Sequence, residues 1–292
     1  IYTWKCSNLN IQSNTVNSNS NDGIVLDADQ STNDNFTIDS NNVYANGTAG
    51  IHLWLSNNHN VINNNQVNNN NMGIVLDGQN AGSGTNNTIS NNTITGSING
   101  IYVMNYHGNQ MIGNALFGNS NVAVWMLQSS SGNQFTGNYV QESGWVGMSL
   151  TNSVNENLFY NNVFKNYDNE YSDGTVFNNQ WNINPVAGVN IVGGPNIGGN
   201  YWSNGSSTGF SDTQPDSNFD GFCDQPYNHR VGLIDNYPLK TILNNALFTR
   251  NTIPSKMVQG KSYPITITVI NTGTATWDSS YALGGVNASI GD

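Results

Sequence analysis

The sequence predicts an all-β chain whose main part is a parallel β-solenoid, a coil of very short strands stacked on itself. Three observations predict this fold. An asparagine stands two residues before an aliphatic residue at intervals of 22–27 residues. A second motif, Gly-aliphatic-x-aliphatic, follows each asparagine by eight or nine residues. Within both motifs apolar residues alternate at period 2 over only three to five residues, which favours strands over helices.

The asparagines of the first motif mark the coils. They are Asn14, Asn41, Asn65, Asn92, Asn114, Asn138, Asn161 and Asn184, which gives about eight coils. Stacking brings equivalent positions into register every ~4.8 Å. Asparagine tolerates the left-handed backbone of a tight corner, and its amide can bond to the asparagine of the next coil. We therefore expect an asparagine ladder.

The second motif separates core from surface. Its inward positions are all apolar: Ile24, Leu26, Ile51, Leu53, Ile74, Leu76, Ile101, Val103, Val124, Met126, Met148 and Leu150. One outward column runs Val25, His52, Val75, Tyr102, Trp125 and Ser149, and the next runs Asp27, Trp54, Asp77, Met104, Leu127 and Thr151. So many apolar and aromatic side chains on one face indicate an interface or a ligand-binding groove. We expect it at His52, Trp54, Tyr102, Met104, Trp125 and Leu127, against the chain's own C-terminal segment, a second copy or a sugar chain.

Composition excludes several functional classes. Charged residues make up only 9% of the chain, the net charge is −11, and Lys165 is the sole basic residue between Cys6 and His229, histidines apart. Nucleic acids and anionic membrane surfaces require clustered Lys and Arg, so neither is an expected partner. No apolar run approaches eighteen residues, so no membrane insertion is expected. Low charge and six N-glycosylation sequons predict an extracellular or cell-surface protein; the sequons are at Asn35, Asn46, Asn86, Asn91, Asn204 and Asn287.

A catalytic site is not predicted. Asp27 and Asp77 share a column two coils apart, about 9.6 Å by strand spacing, which is near the upper limit for an inverting glycosidase pair. Trp54 stands between them, however, and no Arg, Lys or third carboxylate is near. The four histidines fall at different phases of the repeat, so we expect no histidine metal site.

The end of the repeat carries a resemblance. Coils of the form N-x-I-x-x-N-x-I…GI-x-L are closed by Gly199–Trp202, Asp216–Tyr227 and Asp235–Leu239. From about residue 9 to 240 the chain resembles the NosD-like β-helix repeat proteins, which are frequent among secreted and surface-layer-associated proteins of archaea. The resemblance implies a right-handed parallel β-helix. The family's copper-related name has no counterpart in these scattered histidines.

Within the closing motif, the run DSNFDGFCD spaces oxygen ligands as in the first part of a calcium loop. The ligands would be Asp216, Asn218, Asp220, the carbonyl of Phe222, and Asp224. The twelfth position is Tyr227 instead of Glu, so an EF-hand is not implied. We expect either a structural Ca²⁺ or an acidic turn held by Asx hydrogen bonds.

Three segments follow from these patterns: a β-helix over residues 1–203, a closing acidic loop and connector over 204–250, and residues 251–292. The last segment alternates at period 2 and is similar to the opening strands of an Ig-like β-sandwich, either partial or completed by strand addition from a neighbour. Cys6 lies before the first coil and Cys223 in the closing loop. An intermolecular disulfide, an internal one and two free thiols are all left open.

Together these features predict a structural protein of the cell envelope, such as a sheath, surface-layer or filament subunit, that binds copies of itself through the aromatic face. The alternative is a β-helix protein that binds or cleaves polysaccharide, or an adhesin.

Overall fold

The computed structural model describes residues 1–29, 32–79, 83–230, 232–241, 246–254, 256–271 and 277. The chain divides into two units, Ile1–Lys240 and Thr241–Asp292. The closing segment predicted over residues 204–250 is therefore shared between them, and its first 37 residues belong to the solenoid unit.

Three parallel sheets make up the described part of the first unit, and they confirm the predicted β-helix. The first sheet contains Tyr2–Trp4, Ile24–Asp27, Ala49–Trp54, Met72–Asp77, Asn99–Met104, Val122–Leu127, Val146–Thr151 and Glu170–Ser172. The second contains Asn10–Gln12, Thr37–Asp39, Val61–Asn63, Thr88–Ser90, Gln110–Ile112, Gln134–Thr136 and Leu158–Tyr160. The third contains Thr15–Asn17, Asn42–Tyr44, Gln66–Asn68, Thr93–Thr95, Ala115–Phe117, Tyr139–Gln141, Val163–Lys165 and Tyr201–Ser203. Sheets of eight, seven and eight strands correspond to seven complete coils and part of an eighth.

The shorter elements lie at corners and in the closing segment. Asn33–Asp34 pairs in parallel with Asn57–Asn58. Val186–Ala187 pairs with Asn196–Ile197, and Tyr227–Asn228 pairs with Ile234–Asp235, both antiparallel. The one helix in the described residues is a single turn, Phe210–Thr213.

The core lies between the three sheets, and the predicted inward residues fill it. Ile51 is in register with Ile24 and Ile74, and the same column continues through Ile101 and Val124. All twelve predicted inward side chains are fully buried. Burial of aliphatic side chains in identical columns is the main favourable contribution to the stability of this fold.

Asparagine ladders run along the corners, and there are more of them than predicted. The predicted ladder separates the second and third sheets and links Asn14, Asn41, Asn65, Asn92, Asn114, Asn138, Asn162 and Asn200, with each Nδ2 donating to the next Oδ1 at 2.9–3.0 Å. A second ladder, between the first and second sheets, links Asn60, Asn87, Asn109, Asn133, Asn157 and Asn179. A third begins with Asn19, Asn46 and Asn70 and continues through Ser97 and Asn119. These amides satisfy the backbone groups that the bends would otherwise leave unpaired.

The left-handed residue at most corners is not the ladder asparagine, as the sequence predicted, but the residue before it. Ser40 precedes Asn41 with φ 55°, and Asn91 precedes Asn92 with φ 53°. The left-handed residue points outward and turns the chain, while the next side chain points inward and extends the ladder.

Two members of the predicted ladder were wrong. Asn161 has φ 55° and is the turning residue, so that Asn162 takes the ladder position. Asn184 is exposed and lies outside the three sheets, and the last ladder position belongs to Asn200. Phe177 and Gln180 still bridge the preceding coil, and the insertion between Trp181 and Asn200 then leaves the coil before the chain returns to the third sheet.

Aromatic rings and a buried carboxylate close the end of the solenoid. Trp202 stacks on Phe164 at 4.8 Å and on Tyr227 at 4.6 Å between ring centroids. Asp235 is completely buried and accepts hydrogen bonds from the backbone N–H groups of Asn200 and Tyr237 and from the indole N–H of Trp202. The closing motif is thus fastened to the last member of the ladder.

In the second unit the described strands are Ala246–Asn251 and Ile267–Asn271, which pair antiparallel. The Asn271–Trp277 run of the predicted Ig-like segment lies mostly outside the described residues, so the Ig-like domain stays a prediction.

Candidate functional site

The predicted surface is the outer face of the first sheet, called the front face here. Register places the two outward columns as predicted: His52 lies beside Val25 and Val75, and Trp54 lies between Asp27 and Asp77. The first coil extends both columns, because Tyr2 pairs with Val25 and Trp4 with Asp27. The front face is therefore a continuous row along the solenoid axis.

The first column is less exposed than a docking surface requires. Val25, His52, Val75 and Ser149 are each no more than 8% exposed. In the second column, Leu127 is also buried. Exposed aromatic surface lies at Tyr2, Trp4 and Trp54 toward the N-terminal end, and at Trp145, whose ring packs on Tyr171 toward the other end.

The half of the front face nearest the N-terminus is acidic, and His52 is at its centre. Its Nδ1 lies 3.0 Å from Oδ2 of Asp22, which fixes the ring. Its Nε2 lies 3.9 Å from Oδ2 of Asp77, too far for a hydrogen bond. That Nε2 is buried and has no hydrogen-bond partner among the described residues. Burial opposes ionisation of Asp22, yet hydrogen bonds from His52 and the Ala49 N–H outweigh it and lower its pKa.

Trp54 supplies a flat apolar surface in this acidic half. Its ring stacks on that of His52, with centroids 5.5 Å apart and planes at 12°, and its side chain remains 37% exposed. Asp27 and Asp77 flank it in register. Each uses its Oδ1 to accept a backbone N–H two residues on, from Asp29 and Gln79 respectively. The result is an exposed indole between two carboxylates, each held by a hydrogen bond from the backbone.

In the other half of the front face, the outward side chains from Tyr102 to Thr151 carry no charge. Tyr102 contacts Trp125 edge to face at 5.6 Å, and its hydroxyl donates to the sulfur of Met104. Trp125 donates from its indole N–H to Thr151 at 3.3 Å. Burial, followed by the charge of Asp77, raises the pKa of Tyr102. These contacts hold the aromatic rings rigid and half-buried.

In the predicted calcium loop, the acidic side chains accept hydrogen bonds from within the loop. Asp216 accepts the backbone N–H groups of Asp220 and Gly221, while Asp220 accepts those of Phe222 and the Asn218 amide. Asp224 faces away, to the hydroxyl and N–H of Ser217. No group of three or more His, Cys, Asp or Glu in the described residues is placed to hold a metal ion. The loop contains the Asx hydrogen bonds of the alternative expectation, and calcium binding stays a prediction.

The two cysteines lie at opposite ends of the solenoid, and both are free. Cys6 lies at the first coil, where its backbone N–H donates to the side chain of Asn33. Cys223 lies at the other end: its neighbour Phe222 bridges Leu239, and the N–H of Leu239 donates to the carbonyl of Asn200 in the last coil. Seven strand spacings amount to about 34 Å, far beyond the reach of a disulfide. An internal disulfide is therefore contradicted.

The sequons differ in accessibility. Asn35, Asn86 and Asn91 are exposed, and Asn204 is half-buried. Asn46 is a buried member of the third ladder and donates to Asn70, so its prediction as a glycan site is contradicted for the folded chain. Asn287 lies outside the described residues.

A charged cluster at the last coil was not predicted. Glu170 continues the inward aliphatic column, in register with Met148, and is 1% exposed. Burial raises its pKa to about 7. Asp168 binds Arg230 at 2.6 Å and lies 3.4 Å from Nε2 of His229, joining this coil to the closing segment. In the sequence, the signal for this cluster is Glu170, a carboxylate at a position that is aliphatic in the preceding coils.

Comparison with known proteins identifies one family. Residues 1–207 match NosD, described as "Periplasmic copper-binding protein (NosD)". No curated protein matches the sequence. Among solved structures, the crystal structure of pectate lyase Pel9A is similar with a TM-score of 0.44 and 17% identity, over 58% of this chain and 48% of that one. The chain thus spans about half the length of that enzyme.

The residues present do not fit a copper site. The nearest groups to His52 are carboxylates, His59 lies beside Asn86, and His107 contacts Ser131 and Asn105. His229 lies at the far end of the solenoid, against Asp168. Copper is held by clustered imidazole or sulfur ligands, which these positions do not provide. The same described residues contain no helix that is long and apolar enough to cross a membrane.

Proposed function

The chain belongs to the NosD family of β-helix proteins, and from that premise we propose that it is an extracellular or envelope protein that binds polysaccharide along its front face. The observation that carries the proposal is Trp54, exposed between Asp27 and Asp77. An indole offers a flat apolar surface to the C–H face of a sugar ring. Carboxylates beside it accept hydrogen bonds from sugar hydroxyls.

The shape of the face supports the same occupant. Trp4 and Trp54 lie two coils apart in one outward column, along a line that a linear polymer can follow, and Tyr2 lies beside Trp4 in the neighbouring column. The predicted self-association requires a contiguous apolar patch, and the buried side chains of the first column reduce that patch. We infer binding without cleavage, because Trp54 occupies the position between Asp27 and Asp77 where a sugar and a water would have to sit.

The test is a binding panel of soluble polysaccharides measured by tryptophan fluorescence and calorimetry. Trp54→Ala should lower affinity for the bound glycan at least tenfold. Phe117→Ala is the matched control, since Phe117 is an aromatic residue on the third sheet and 47% exposed; it should bind as the unmodified protein does. Equal binding by Trp54→Ala, or binding to no glycan, contradicts the proposal.

Self-assembly through the uncharged half of the front face is the second candidate function. It is favoured by the rigid aromatic group of Tyr102, Met104 and Trp125, which includes no charged side chain. Electron microscopy and light scattering on the purified protein should then show polymers, and Met104→Glu should dissociate them. A monomer at high concentration would exclude this candidate while leaving polysaccharide binding intact.

A further inference from the structure

The acidic half of the front face has an unusual supply of acceptors. Asp22, Asp27 and Asp77 lie on it, and Asp29 stands exposed at its margin. Lys5 lies at the first coil, with its Nζ 4.5 Å from the ring centroid of Trp4. From Ser7 to Phe164 the sequence contains no Lys or Arg.

One side chain in this half leaves a polar atom without a partner in the described chain. Nδ1 of His52 lies 3.0 Å from Oδ2 of Asp22, and the ring turns its Nε2 toward Asp77. Oδ2 of Asp77 lies 3.9 Å from that nitrogen. The His52 side chain is only 10% exposed, and its Nε2 has no hydrogen-bond partner in the described chain. Asp77 uses Oδ1 for the Gln79 N–H, so its Oδ2 beside this nitrogen is left to accept from a ligand that brings N–H donors.

We infer that the polysaccharide taken by the front face carries free amino groups, as a polymer of glucosamine does. This inference rests on the proposed polysaccharide binding. An ammonium group has three N–H donors and no acceptor, so it complements the carboxylate of Asp77 beside Nε2 of His52. Its charge is also attracted to Asp22 and Asp27, and a cation can pack over the indole of Trp54.

The same charges disfavour acidic polymers. A polyuronate would bring carboxylates against Asp27 and Asp77 with no Arg or Lys to compensate, and like charges in one site repel. An N-acetylated amino sugar keeps the stacking on Trp54 but has no positive charge. Specificity therefore lies in the carboxylates, and general sugar affinity lies in the indole.

The experiment compares three oligosaccharides of equal length by calorimetry: one of glucosamine, one of N-acetylglucosamine and one of galacturonate, at a pH where the sugar amines are protonated. The glucosamine oligomer should bind about tenfold more tightly than its acetylated counterpart, and added salt should reduce the difference. The galacturonate oligomer should not bind. Asp77→Asn should weaken glucosamine binding about threefold to tenfold and leave N-acetylglucosamine binding unchanged.

Asp39→Asn is the matched control, because it removes the same charge from the second sheet. This variant should not change the preference for the glucosamine oligomer over the N-acetylglucosamine oligomer. Equal, salt-independent binding of both glucosamine oligomers, or tighter binding of galacturonate, overturns the inference and leaves polysaccharide binding standing. No binding by any of the three, together with a Trp54→Ala variant unaltered across the wider panel, overturns both.

Discussion

Replacing one ladder asparagine tests how the solenoid is held together. Asn92 is completely buried, and its side chain makes four hydrogen bonds. Its Oδ1 accepts from the backbone N–H and the Nδ2 of Asn65, at 3.0 and 2.9 Å. Its Nδ2 donates to the carbonyl of Ile62 and to Oδ1 of Asn114. Asn92→Ala removes all four at once.

The cost follows from what is left unpaired. The N–H of Asn65 loses its acceptor in a dry interior, which costs about 1–3 kcal/mol. Each of the remaining bonds contributes about 1 kcal/mol net, although the Asn65 amide and the Asn114 oxygen keep other partners. The expected loss in the free energy of unfolding is therefore about 3–5 kcal/mol.

The measurement is urea denaturation followed by circular dichroism, with hydrogen exchange to locate the damage. Exchange should accelerate most in the coils containing Asn65 and Asn114, since each coil contacts mainly its neighbours. The control is Asn91→Gly, at the exposed left-handed position beside it, which should change stability by no more than about 1 kcal/mol. A loss below about 1 kcal/mol for Asn92→Ala, or one equal to the control, would refute the account of the ladder.

Three further outcomes are expected. The pKa of Glu170 is about 7 in the folded protein, against an ordinary value of 4.5. Its contribution to stability is therefore complete below pH 4.5 and is lost as pH rises through about 7, a loss of up to about 3 kcal/mol. Glu170→Gln should flatten this loss in a series of denaturation experiments across that pH range. Cys6 should react with a thiol reagent in the native protein, and intact-mass measurements can follow the reaction. Cys223 is buried, and burial raises its pKa to about 11, so it should react only after unfolding. Equal reaction rates of the two thiols in the native protein would contradict the placement of Cys223. Asp235→Ala leaves the indole N–H of Trp202 without its acceptor and should expose the closing segment to limited proteolysis while the early coils keep their exchange protection; an unchanged digestion pattern would show that the carboxylate does not fasten the cap.

The period and the inward columns could be predicted because the same physical requirement recurs in every coil. Core positions such as Ile51 and Ile101 must be apolar, and ladder positions such as Asn65 must carry an amide. Repetition makes both visible in one sequence. The shift from Asn161 to Asn162 escaped because two adjacent asparagines satisfy the same pattern, and only the backbone decides which one turns the chain.

The candidate site was predictable only in part. Strand alternation placed Trp54 between Asp27 and Asp77, as the register shows. The partnership of His52 with Asp22 was not predictable, since Asp22 precedes the strand and comes from the preceding coil. Burial within the first column depends on the sizes of neighbouring side chains across strands, and periodicity does not report those.

The pairing of a left-handed residue with a ladder residue divides each corner into a fixed and a variable position. In this chain the inward position is asparagine in almost every coil. The outward one before it is serine, alanine, histidine, glutamate, asparagine or glycine. Surface chemistry at the corners can therefore change one residue at a time without disturbing the scaffold beneath. Substitutions at the outward corner positions can therefore change a binding surface on such a protein without altering the stacking of its coils.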